Sequence, residues 1–300
     1  MANNLFGKLS EAIIAPLCGN CGDAIDQSDD LYHQGLNCLQ DGSHHAAINC
    51  FEKCIQFNRD HVNALYHLGQ IHEEMGAFVT ARIYYERVLA IDEDHPNANF
   101  SLGSLCLNEE QYGKAEGYLQ KAVELNPSDA EAWINLGLVR YSLDMPQAAT
   151  AAFLECVAVA PERSKISATA LYNLGNLQHK QGDIEGAINS FSRAVEIDNT
   201  LVDAFFNMGV LYQQNEAIEE AFNWYEKAAA ADPTSGEARS AMDNIREHYP
   251  HMRKKELTHP PTTSQSLPLV HSHPRKEEVV ETPIPPASWS LPLNQPARTS

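Results

Sequence analysis

Positive charge and long apolar runs are both scarce in this chain. Lys and Arg number 21 against 40 Asp and Glu. The deficit is uneven: residues 1–250 carry 36 acidic and 15 basic side chains, net −21, whereas residues 251–300 carry 4 and 6, net +2. So acidic a surface argues against a nucleic-acid backbone as the main ligand and points to basic or neutral protein partners, although the same charge also serves solubility. No apolar stretch approaches the roughly 18 residues that cross a bilayer, so membrane insertion is not expected. The opening MANNLFGKLSEAIIAPLCGN holds only a short apolar core, AIIAPL, and no arginine, so a processed targeting segment is not indicated.

Catalytic constellations are equally scarce. The sequence shows no nucleophile–base pair and no phosphate loop, and the expectation is a protein that is not an enzyme and needs no cofactor or metal. Cys18-Gly-Asn-Cys21 has the spacing of a redox pair or half of a zinc knuckle. Without a β-α-β pattern around it or a second CxxC, it reads as a glycine-rich turn. His33 and His72 are not spaced to complete a metal site, and His259, His271 and His273 are too sparse for one. The seven cysteines are an odd number, and Cys38, Cys54, Cys106 and Cys156 occupy small apolar positions. That usage fits a reducing compartment: the cytoplasm is expected, with the nucleus as the alternative. Arg253-Lys254-Lys255 is too short to serve as an import signal.

What the chain does have is a period. Gly35, Gly69, Gly103, Gly137, Gly175 and Gly209 recur at steps of 34, 34, 34, 38 and 34, each followed 12 residues later by Ala47, Ala81, Ala115, Ala149, Ala187 or Ala221. Units at 28–61, 62–95, 96–129, 130–163, 168–201 and 202–235 follow, each predicted as two helices. Positions 4 and 7 of the unit usually carry large apolar residues, best seen at Trp133 and Leu136, while Gln34 and Asn99 depart from that pattern. A helical glycine costs about 1 kcal/mol relative to alanine, so its return at position 8 predicts close approach of the partner helix. Alanine at position 20 serves the same approach. Phe51, Tyr85, Leu119, Phe153, Phe191 and Tyr225 at position 24 then fill the wider space. Gly42, Gly76 and Gly182 fall between paired helices, where a left-handed residue is favoured. Ser164 to Ser167 break the register once; four residues amount to about one helical turn that can extend the next helix, and they read as an insertion tolerated at a turn, with a local change in superhelix pitch as the alternative.

Three segments flank or close the array. Residues 1–27 form an extension in which Leu5, Leu9, Ile13 and Leu17 mark a short amphipathic helix. Gly236 to Glu247 read as a capping helix with Ala238, Ala241, Met242 and Ile245 inward and Arg239, Asp243 and Arg246 outward, so the array with its cap spans 28–247. Residues 248–300 form a tail with ten of the sixteen prolines, predicted to be disordered, with Leu267-Pro268-Leu269-Val270 and Trp289 as apolar islands.

Six such units, with W/L-x2-L-G, A, F/Y and P in order, resemble tetratricopeptide repeats over residues 28–247. The resemblance implies an all-α, right-handed superhelix of antiparallel helix pairs, a concave groove lined by first helices, and a scaffold or adaptor that holds an extended peptide or partner helix. Read by helical period alone, positions 2, 5, 6, 9, 12 and 13 turn toward that groove. Position 5 offers Tyr66, Tyr172 and Phe206, and position 6 offers His67, Asn135, Asn173 and Asn207; Gln70 and Asn176 stand at position 9. A row of asparagine amides, each donor and acceptor, suits an extended peptide backbone. It is similar to the repeat domain of O-linked N-acetylglucosamine transferases, but no catalytic part follows the repeats. The position 5 aromatics are also expected to be at least half buried within the array.

Two alternatives stand beside the groove. One is a regulatory or structural subunit of an assembly, bound through edges or the convex face. The other is a carboxylate-clamp cochaperone, which Asn176 and Asn207 match in part. Tyr172, Glu237 and Ala241 occupy positions where that clamp requires basic residues. The oligomeric state is open.

Overall fold

The computed structural model describes residues 21–249 and 251–252, with side chains from Asp26 onward. The amphipathic stretch Leu5–Leu17, Cys18 and the islands around Leu267 and Trp289 lie outside the described residues. The helices run in the order α1 (Cys21–Gln40), α2 (His44–Phe57), α3 (Val62–Glu74), α4 (Phe78–Ile91), α5 (Pro96–Asn108), α6 (Tyr112–Leu125), α7 (Ala130–Ser142), α8 (Pro146–Val159), α9 (Lys165–Lys180), α10 (Ile184–Ile197), α11 (Val202–Gln214), α12 (Ile218–Ala231) and α13 (Gly236–His248). Among the described residues there is no strand, and the fold is all-α.

The described residues form two compact units, one ending at Leu177 and the other beginning at Gln178, so the division falls inside α9. In the first, α1 pairs with α2, α3 with α4, α5 with α6 and α7 with α8; α2–α3, α4–α5 and α6–α7 contacts stack the pairs. In the second, α11 pairs with α12, flanked by α10 and α13.

The recurring glycine has a definite partner: the position 24 side chain, not backbone alone. A Cβ on Gly35 would stand 2.5 Å from Phe51 Cε1, one on Gly137 2.5 Å from Phe153 Cε1 and one on Gly209 2.5 Å from Tyr225 Cε1. Gly69 meets Tyr85 in the same way, and Gly103 meets Leu119 Cγ at 2.6 Å. The rings lie on bare helix backbone and are fully buried with the position 20 alanines. Where the ring is tyrosine its hydroxyl still finds an acceptor: Tyr85 donates to Glu73 Oε2 at 2.7 Å and Tyr225 to Gln213 Oε1 at 2.9 Å.

Each turn between paired helices uses one left-handed residue. Gly42, Gly76 and Gly182 take it at φ 72°, 75° and 79°, as the spacing predicts. Glu110, Asp144 and Glu216 hold the same position 15 at 58°, 56° and 60°. Several first helices start on side-chain caps that differ by repeat, whereas α11 starts after Leu201 without one. His61 Nδ1 accepts from the Ala64 N–H at 3.1 Å, and His95 Nδ1 from the Ala98 N–H at 3.1 Å. Asp129 Oδ1 accepts from Glu131 and Ala132 at 3.0 and 3.1 Å.

Two expectations change. The segment 164–167 is not a loop insertion: α9 starts at Lys165, and Ser164 Oγ accepts from the Ser167 N–H at 3.2 Å, so the extra turn lengthens a capped helix. Arg246 does not simply face outward from α13. It lies 5.2 Å from the Phe222 ring centroid and donates to Asp243 Oδ1 at 3.0 Å.

Candidate functional site

The first-helix face of the first unit is graded, open at one end and closed at the other. On α1 and α3, Tyr32, Tyr66, His67 and Gln70 are half-buried, and the polar tips of Tyr32, His67 and Gln70 are in reach of one another. His67 Nδ1 lies 2.9 Å from Gln70 Oε1, an acceptor, so Nδ1 carries the proton and Nε2 accepts from the Tyr32 hydroxyl at 3.2 Å. The ring also stacks on Phe51, 5.5 Å between centroids. Burial pulls the His67 pKa below the usual imidazole value; the Gln70 bond opposes this and His61 adds to it. Tyr66 lies 5.1 Å from His95 and 5.7 Å from Tyr85, so one edge of its ring is packing surface. Burial likewise raises the Glu73 carboxyl above its ordinary range, against the Tyr85 hydrogen bond.

On α7 and α9 the same positions are closed. Asn135 is 8% exposed, and its Nδ2 donates to Ser104 Oγ at 3.1 Å. That amide joins position 6 of one first helix to position 9 of the helix before it. Asn173 is 2% exposed, and neither its Nδ2 nor its Oδ1 has a hydrogen-bond partner among the described residues. The register gives the reason. Ser104 follows Gly103, and the residue that follows Gly137 is Leu138, which has no polar atom to offer Asn173. Tyr172 is 4% exposed and Asn176 is buried. The second unit carries the remaining candidates, Phe206 half-buried 5.3 Å from Tyr225 and Asn207 buried.

Sequence reasoning missed the capping histidines and the difference between a spent and an unspent asparagine. The 31-residue offset that pairs Asn135 with Ser104 was the available signal for the second. Among the described residues, Cys54, Cys106 and Cys156 are buried packing residues. Cys38, Cys50, Cys54, Cys106 and Cys156 are free thiols, and burial pushes Cys54 up to about 11 and Cys156 up to about 12, far from a reactive thiolate. Among the described residues no group of three His, Cys, Asp or Glu side chains is placed to hold a metal ion. No helix among them is long and apolar enough to cross a membrane.

Sequence models of the tetratricopeptide repeat match residues 32–98, 96–139, 130–163, 175–216 and 202–235, together more than half of the chain. The chain belongs to the tetratricopeptide-repeat family. No curated protein matches it. Among solved structures it is similar to YrrB, a TPR protein with an unusual peptide-binding site, at 23% identity and a TM-score of 0.57 over 64% of this chain and 97% of that one. PilF of Pseudomonas aeruginosa is similar at 17% identity and a TM-score of 0.60, covering 74% and 99% of the two chains. The Cut9–Hcn1 hetero-tetramer of the APC/C matches at 16% identity and a TM-score of 0.55, covering 75% and 46%. At these identities the likenesses show a shared tetratricopeptide fold.

Proposed function

We propose that this tetratricopeptide protein is a non-enzymatic scaffold that holds an extended peptide or partner helix on the first-helix face of its first unit. One observation carries the reading: the buried Asn173 amide has a donor and an acceptor with no protein partner among the described residues. Leaving buried polar groups unpaired costs about 1–3 kcal/mol each. A peptide backbone presents the complementary carbonyl and N–H, and an outward rotation of the Asn173 side chain would reach them. Tyr66, His67 and Gln70 supply polar and aromatic contacts further along the face, and Tyr172 and Asn176 border the amide in sequence. Asn135 serves a different role, fastening neighbouring first helices through Ser104. Phe206 and Asn207 hold the same register in the second unit. The resemblance to the transferase repeat domain and the peptide-binding site named for YrrB both support a peptide ligand.

The test uses peptides selected from a random library on the wild-type chain. Replacing Asn173 with Leu, of similar volume, removes the unpaired amide. The expected result is a gain in stability of about 1 kcal/mol together with a loss of peptide affinity of roughly tenfold or more. Unchanged affinity in a stabilised Asn173→Leu protein would refute the assignment. The second reading, a subunit bound through its outer face, is favoured by exposed apolar residues on α4, and cochaperone activity is a more distant alternative.

A further inference from the structure

Positions 18 and 22 of each second helix point away from the first helix, opposite to positions 20 and 24. In four units they are polar or small: His45 and Asn49, Gln147 and Ala151, Glu185 and Asn189, Glu219 and Asn223. The second and third units differ, and they differ in opposite senses. On α4 the pair is Val79 and Ile83, 75% and 52% exposed, beside exposed Phe78. On α6 the pair is Gly113 and Gly117, where an added Cβ would meet nothing within 4 Å. Gly117 lies mid-helix and costs about 1 kcal/mol relative to alanine, yet nothing around it in the chain requires the missing side chain. Beside these glycines lies a groove of ≈ 670 Å³ with Leu89, Ala90, Leu102 and Tyr118 in its lining.

We infer that this outer face binds a second copy of the same chain, with Val79 and Ile83 of each copy seated over Gly113 and Gly117 of the other. Knob and notch occupy the same positions in consecutive units, so they stand at the same height along neighbouring second helices. A twofold axis parallel to α4 and α6, running between them in the contact plane, carries α4 of each copy onto α6 of the other and preserves that height. Every knob then meets a notch, as a self-complementary interface requires. The operation brings no like charges together: Arg82 on α4 and Glu116 on α6 share position 21, although Arg82 is ion-paired to Glu109, Glu116 to Arg140, and Lys121 to Glu93 and Asp94 within the chain, so shape rather than charge selects the partner. Removing two exposed apolar side chains from water on each copy supplies a driving force the isolated chain leaves unused.

Sedimentation velocity on the full chain over a range of micromolar concentrations tests this. Wild type should show a concentration-dependent dimer. Gly117→Leu fills the notch, improves helix propensity and so keeps the fold; together with a separate Val79→Lys, Ile83→Lys double variant, it should weaken dimerisation roughly tenfold or more with helical content unchanged. Mixing Val79→Cys with Gly113→Cys chains under oxidation should give a crosslinked heterodimer specific to that register. A wild type monomeric at every concentration, or a dimer indifferent to both variants, overturns the proposal. So does a dimer lost only on deleting residues 253–300, which would make the tail the occupant.

Discussion

Position 15 carries the left-handed turn in each of the six units, yet only three of them place glycine there. A side chain in that conformation clashes with its own backbone at a cost of about 1–2 kcal/mol, less for Asp or Asn. Glu110→Gly and Glu216→Gly should therefore each raise stability by about 0.5–1 kcal/mol, and Asp144→Gly by less. Urea denaturation midpoints with an unchanged m-value would verify it. The glycine turns were legible because glycine announces the conformation, and Glu110 was not, since only register identifies it. The site shows the same divide. Tyr66, His67 and Gln70 could be placed on one face from spacing alone. Whether an asparagine on that face is spent depends on a residue 31 positions earlier in the regular units, serine for Asn135; the equivalent residue for Asn173 is leucine. A single helix read by itself contains no trace of that.

At the scale of the element, the first helices start on unlike caps, and two of these are imidazoles that accept a backbone hydrogen bond only when neutral at Nδ1. Burial lowers the pKa of His95 below 6.5, against the opposing influence of Asp92 and a backbone hydrogen bond, and lowers that of His67 as well. Below 6.5 the unfolded chain thus binds more protons than the folded one at His95, a cap, and at His67, which is not one. Their contribution is fully present above 6.5 and is lost as pH falls through the depressed folded values. The melting temperature should drop between neutral pH and about pH 5. Glu73 acts with the opposite sign, since its raised folded pKa favours the folded state as it protonates. Replacing His95 with Asn, an equally good cap, isolates the imidazole. Thermal melts across this range should show a shallower pH slope for His95→Asn than for wild type, and identical slopes would remove the histidine cap as a cause. The sequence pattern located these helices well but could not rank four inserted residues as loop or helix. Ser164 decided it, because its hydroxyl caps a turn that then runs directly into α9.

For the molecule as a whole, the repeated contact is local: at Gly35, Gly69, Gly103, Gly137 and Gly209 the position 24 side chain rests on a glycine 16 residues before it, as Phe153 rests on Gly137. Contacts so short in sequence are what made the period readable, and they also limit how far a defect spreads. In an array, stability is close to a sum of unit and nearest-neighbour interface contributions. Phe153→Ala removes a fully packed ring at a cost of about 3–5 kcal/mol. Amide exchange should then accelerate most in α7 and α8, where the ring is lost, and less in α6, which packs on α7. Exchange in α1 and α2 should change little. If instead every described helix accelerated equally, the chain would unfold as a single cooperative body, and the nearest-neighbour account of its stability would be wrong.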